Sequence, residues 1–126
     1  MSRKELSEEQ FYGLGIAPKL LERLDKLGFV HPTPIQFKAI PIAISGEDVV
    51  GIAQTGTGKT LAFAIPTLQQ ISARGKQALI LLPTRELAVQ VEETFQKVAK
   101  PLGIRTALVI GGASKGPQLR NLKNNP

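Results

Sequence analysis

The stretch that decides the fold is Asp48–Thr60, DVVGIAQTGTGKT. Val49, Val50, Gly51, Ile52 and Ala53 form a short apolar run that predicts a strand. Gly56 and Gly58 lie in the loop behind it, and from Lys59 the apolar residues Leu61, Ala62, Phe63 and Ile65 predict a helix. A strand that feeds a glycine-containing loop and then a helix is the setting a phosphate-binding loop requires. Small residues let successive backbone N–H groups curl around an anion, and the helix N-terminus adds the positive end of its dipole. In such a loop Lys59 reaches the terminal phosphates and the Thr60 hydroxyl ligates Mg²⁺. An ordinary turn before a helix would read similarly, but strand, loop and helix together favour a nucleotide. One position departs from the usual G-x-x-x-x-G-K-S/T pattern: Ala53 stands where the first glycine is expected.

Upstream, Pro18–Leu27 (PKLLERLDKL) places leucines at 20, 21, 24 and 27, which predicts a helix with one apolar face, opened by Pro18 and stopped by Gly28. Gly28–Gln36 (GFVHPTPIQ) follows, with Pro32 and Pro34 flanking Thr33. The first proline imposes an extended approach, and the second opens a helix running towards Ile44. Gln36 carries an acceptor and a donor side by side, the pair that matches adenine N6 and N7. In isolation a glutamine there reads first as a surface residue on a helix. His31 is a lone histidine in a proline-rich turn with no second metal ligand nearby.

Downstream, the phosphate-loop helix is expected to run from Lys59 towards Ser72 and to kink near Ile65 because of Pro66. Gln77–Leu82 (QALILL) predicts a strand buried on both faces of a parallel sheet. It leads to Pro83-Thr84-Arg85, where Thr84 is a good N-cap for a helix over Arg85–Lys100. A hydroxyl, an arginine and free N–H groups at one helix N-terminus make an anion site, although capping alone explains Thr84 equally well. Arg105–Ile110 predicts a third strand, and Gly111-Gly112 then forms either a close backbone approach or a plain flexible turn. Ser114–Leu122 predicts a short basic, amphipathic helix bearing Lys115 and Arg120, with Lys123 just beyond it. Residues 1–10 are expected to be a flexible lead-in.

The 126 residues fit one α/β unit, and 42% apolar content is that of a globular chain. Without cysteine there is no disulfide framework and no thiolate metal site. The charged start is not a signal peptide, and no apolar run approaches the ~20 residues needed to span a bilayer. The expected location is the cytoplasm, away from membranes. The net charge of +6 is uneven: residues 1–52 carry six basic and seven acidic side chains, residues 53–126 ten and three. A basic excess behind a nucleotide loop suggests a polyanionic partner. Charge alone would favour a solvated basic surface with no partner.

Taken together, GFVHPTPIQ resembles the Q motif, AQTGTGKT motif I and PTRELAVQ motif Ia of the DEAD-box ATP-dependent RNA helicases. That family normally carries alanine at the position of Ala53. The resemblance implies a P-loop NTPase fold with a RecA-like parallel sheet and flanking helices, residues 11–126 being the N-terminal, incomplete part of the first such domain. It also implies that Phe11 stacks on adenine and Gln36 reads it. Ala53, Gln54, Thr55, Gly56, Thr57, Gly58, Lys59 and Thr60 would hold ATP, with Lys59 and Thr60 serving catalysis and Thr60 the Mg²⁺. Pro83, Thr84, Arg85, Gly111 and Gly112 would touch the RNA sugar-phosphate backbone, with little base preference.

Strings the family also uses, Asp-Glu-Ala-Asp and Ser-Ala-Thr, do not occur in these 126 residues. The expectation is therefore the ATP- and RNA-binding portion of a helicase whose parent unwinds RNA, while residues 1–126 alone do not hydrolyse ATP. The alternative is a stand-alone P-loop module that binds RNA and uses ATP as a structural ligand. A small-molecule kinase would not predict GFVHPTPIQ or PTRELAVQ, and a GTPase would need an Asn-Lys-x-Asp string.

Overall fold

In the computed structural model, residues 10–54, 56 and 58–126 are described, and the lead-in expected at residues 1–10 lies almost entirely outside them. Helix α1 spans Pro18–Lys26, with proline in its first turn and Leu20 and Leu24 buried one turn apart. Gly28 stops it at φ 84°, a left-handed conformation open to glycine at no steric cost. Helix α2 spans Pro34–Ile44 behind an extended Thr33. Helix α3 runs Lys59–Arg74 between two left-handed glycines, Gly58 at φ 82° and Gly75 at φ 64°. It continues through Pro66, so the expected kink does not interrupt it; the ring is buried with Leu61, Ala62, Ala64, Ile65 and Leu68.

Helix α4 spans Arg85–Ala99 and buries Val91, Phe95, Val98 and Ala99. A 3-10 turn over Lys100–Leu102 ends at the left-handed Gly103. Helix α5 spans Lys115–Lys123 and none of its residues is fully buried.

The core lies between α2, α3 and α4, with α1 laid against α4 and the 3-10 turn. Leu20, Leu24, Ile40, Ile65, Leu68 and Val98 are fully buried, each worth about 1.5–3 kcal/mol of apolar transfer. Phe63 and Phe95 tilt against one another across α3 and α4, ring centres 5.9 Å apart. The segment before α1 is stapled to α3 by Gln69, whose Oε1 accepts from the Ala17 N–H at 2.8 Å while its Nε2 donates to the Gly15 carbonyl at 2.9 Å.

The three runs expected as strands, residues 49–53, 77–82 and 105–110, are neither helix nor turn, and none is paired in a strand ladder among the described residues. Over residues 79–82 exposure nevertheless alternates with the period of two that a strand imposes. Leu79 and Leu81 are 82% and 83% exposed, whereas Ile80 and Leu82 pack against the core. Val50 and Ile52 are 90% and 93% exposed. Among the described residues α3 and α4 cover one face of the 77–82 run, and the face carrying Leu79 and Leu81 is exposed. Openings of about 780 and 810 Å³ lie under these runs, the first between α2, α3 and residues 46–51, the second between α3, α4 and the two later runs.

Side-chain deletions should therefore divide sharply. In urea denaturation of the 126-residue chain, Leu68→Ala is expected to lower stability by about 2–5 kcal/mol. Leu81→Ala should stay within about 0.5 kcal/mol. Equal losses would show that the face carrying Leu81 is covered after all.

Candidate functional site

Two clusters gather the residues singled out in the sequence. The first joins the N-terminus of α2 to that of α3. Gln36 is only 3% exposed. Its Oε1 accepts from the Thr33 N–H at 2.9 Å, and its Nε2 donates to the Gly58 carbonyl at 3.1 Å. A proline on either side holds Thr33 extended, so its N–H is left for a side chain rather than for the helix. Thr33 faces the Gln36 backbone in the manner of a capping box, yet its hydroxyl is buried and makes no hydrogen bond. This T-x-x-Q signature is legible in the sequence and was the missed signal for Thr33.

Gly58 has to be glycine twice over. Its φ is left-handed, and a Cβ there would collide with the Gln36 Nε2 and come within 3.0 Å of the Thr33 hydroxyl. Lys59 stands exposed at the first position of α3 and Thr60 is half-buried behind it. No acidic side chain occupies that first turn. A lysine beside the positive pole of a helix dipole is unfavourable by about 0.3–1 kcal/mol, a cost an anion would reverse. Gly56 is left-handed at φ 79°, Ala53 is half-buried and Gln54 exposed. Thr55 and Thr57 lie outside the described residues.

Phe11 does not stand in the open beside this cluster. It is 5% exposed and packs in the hydrophobic core with Leu14 and Ile16. A base could stack on its ring only if the ring left that packing.

The second cluster joins α4 to the Gly111-Gly112 turn, 26 residues away in sequence. The Thr84 Oγ1 accepts from the Leu87 N–H at 3.1 Å, the N-cap expected of it. Arg85 Nη1 donates to the Gly111 carbonyl at 3.2 Å. Gly112 is left-handed at φ 79°, and a Cβ on it would come within 2.6 Å of the same Arg85 nitrogen. Pro83, Thr84, Arg85, Gly111 and Gly112 are all exposed. A residue not singled out in the sequence holds the turn from the other side. The Gln118 Oε1 accepts from the Ile110 N–H at 3.0 Å, and its Nε2 donates to the carbonyls of Ile110 and Ser114, each at 3.2 Å. Nothing local marks Gln118, because only the return of α5 onto the end of the third run brings it there.

Among the described residues no group of three His, Cys, Asp or Glu side chains could hold a metal. The Thr60 hydroxyl, beside a helix N-terminus, fits a Mg²⁺ that arrives with nucleotide phosphates rather than one caged by protein. No helix of the described chain is long and apolar enough to cross a membrane.

The DEAD/DEAH box helicase family model matches residues 33–126. The ATP-dependent rRNA helicase RRP3 of Meyerozyma guilliermondii is 46% identical over 125 residues, covering 95% of this chain and 26% of that protein. The DEAD-box ATP-dependent RNA helicase 30 of Arabidopsis thaliana is 45% identical over 122 residues, 91% of this chain and 21% of its own length. The chain thus spans about a quarter of the length of the curated relatives it matches. Among solved structures, the RNA-helicase Prp28 from Chaetomium thermophilum bound to ADP superposes with a TM-score of 0.83 at 40% identity, over 91% of this chain and 30% of that one. A variant of S. cerevisiae Dbp5 bound to RNA and ADP BeF3 gives 0.78 at 32%, over 86% and 29%. These likenesses make the fold the RecA-like α/β fold of the P-loop NTPases. With the Thr33–Gln36–Gly58 cluster and the Arg85–Gly111 cluster both inside the span that the family model matches, the chain belongs to the DEAD/DEAH box helicase family.

Proposed function

We propose that this chain is the ATP-binding and RNA-backbone-binding part of an ATP-dependent RNA helicase, and that its full-length gene product unwinds RNA locally. The observation that carries the reading is the Gln36 bridge between Thr33 and Gly58, because it ties the segment that reads the base to the loop that holds the phosphates. Gly56, Gly58 and the α3 N-terminus would supply backbone N–H groups to the phosphates, and the flanking Ala53, Gln54, Thr55 and Thr57 would line the loop. Lys59 would neutralise the terminal phosphates and Thr60 would ligate the accompanying Mg²⁺.

Both functional groups of Gln36 are engaged in the structure, but a carboxamide has a second lone pair and a second N–H. Those remain for adenine N6 and N7. Base recognition is therefore assigned to Gln36, and Phe11 contributes stacking only where its ring leaves the core. On the second cluster, Pro83, Thr84, Arg85 and the glycine pair offer a cation, a hydroxyl and backbone N–H groups, chemistry suited to phosphate and sugar rather than to base edges. Relatives named as RNA helicases and a neighbour solved with RNA support an RNA partner over other polyanions.

Three outcomes check the proposal. Lys59→Ala in the full-length gene product should reduce ATP turnover by about 10²–10³-fold with unchanged circular dichroism, since Lys59 contributes nothing to the core. A normal rate would remove the phosphate-loop assignment. Gln36→Ala should weaken ATP and GTP alike through loss of the loop tie, and ATP by a further ~1–3 kcal/mol through loss of the base contact. Equal losses measured by nucleotide titration would leave Gln36 with a structural role alone. Affinity for single-stranded RNA should fall linearly on a log–log plot against salt, with little dependence on base composition; strong preference for one sequence at matched salt contradicts a backbone-only contact.

A further inference from the structure

The Gly111-Gly112 turn is held open by side chains on both sides. Gln118 meets the two backbone groups of Ile110 at once, accepting from its N–H at 3.0 Å and donating to its carbonyl at 3.2 Å. This is the exchange one residue makes with its partner across an antiparallel ladder, supplied here by a carboxamide. It fixes the peptide planes on both sides of Ile110 at the end of an otherwise unpaired run. Arg85 takes the next carbonyl, that of Gly111. Two successive carbonyl oxygens, which would repel a phosphate, are thereby turned to protein donors. The Gly111 and Gly112 N–H groups make no hydrogen bond among the described residues.

We propose that Gln118 is a positioning residue for RNA: by clamping Ile110 it sets the Gly111-Gly112 turn so that two backbone N–H groups face an RNA phosphate. The clamp does not touch RNA itself. It acts through the peptide planes, and its third bond, to the Ser114 carbonyl at 3.2 Å, locks the carboxamide to the first turn of α5. Without it the turn samples other orientations, and each binding event must select the one that presents both donors. This inference rests on the assignment of Arg85 and the glycine pair to RNA.

The test uses the full-length gene product and a fluorescein-labelled single-stranded oligouridine, titrated by anisotropy with a non-hydrolysable ATP analogue at several salt concentrations. Gln118→Met keeps the length and the helix-forming tendency of the side chain but removes all three hydrogen bonds. The expected result is an RNA affinity about tenfold lower, with an unchanged salt slope because no cation is lost, and unchanged affinity for the ATP analogue. Arg85→Ala, measured in parallel, should lower both the affinity and the salt slope, the latter by about one. An RNA affinity for Gln118→Met within twofold of the unsubstituted protein, with Arg85→Ala impaired, overturns the positioning role and leaves the RNA assignment standing. No effect of either variant overturns both. A parallel loss of nucleotide affinity and melting temperature in Gln118→Met would make the clamp merely structural and also overturn the proposal.

Discussion

The bridge from Gln36 to Gly58 is the contact on which the candidate nucleotide site depends. It links two helix N-termini that are 22 residues apart and takes its geometry from three constraints at once. Pro32 and Pro34 hold Thr33 extended, which frees the N–H that Gln36 accepts from. Gly58 takes a left-handed φ and lacks a Cβ, which lets the carboxamide approach its carbonyl. The packing of α2 on α3, the largest helix–helix contact among the described residues, sets the two ends at hydrogen-bonding distance. Any one of these removed would leave a buried carboxamide short of a partner, at a cost of about 1–3 kcal/mol. Beside it the Thr33 hydroxyl is buried and makes no hydrogen bond among the described residues.

The same device recurs. Gln69 ties the segment around Gly15 and Ala17 to α3, Gln70 donates to the Ile44 carbonyl at the end of α2, and Gln118 ties α5 to Ile110. A primary amide carries a donor and an acceptor at peptide-like spacing, so it can close backbone groups that no ladder or helix reaches. Among the described residues the three apolar runs form no ladder, and these carboxamides bond backbone groups next to the helices and to the third run. The helices supply the apolar packing, and the glutamines fix where the connecting segments stand relative to it.

The bare faces at Val50, Ile52, Leu79 and Leu81 follow from the same division. Helices cover one side of the 77–82 run, so Ile80 and Leu82 pack against the core while Leu79 and Leu81 meet solvent. Contiguous apolar surface of this kind marks a place where further protein packs or where chains associate. The Thr33–Gln36–Gly58 and Arg85–Gly111 clusters do not draw on it; each is built at a helix N-terminus next to the end of one of these runs.

Much of this was legible in the residues alone. Local chemistry determined the helices within one or two residues, glycines such as Gly28 and Gly103 where they stop, and the Thr84 cap, because turn geometry, helix period and capping depend on neighbours in the chain. The resemblance carried by GFVHPTPIQ, AQTGTGKT and PTRELAVQ placed the family for the same reason: the motifs are contiguous. Tertiary structure alone decided that Phe11 is buried in the core, that Gln36 is already engaged on both sides, that Arg85 reaches Gly111 and that Gln118 clamps Ile110. Each of these depends on which partner a side chain meets across the fold. A glutamine looks the same in sequence whether its amide faces water or a backbone group 8, 22 or 52 residues away.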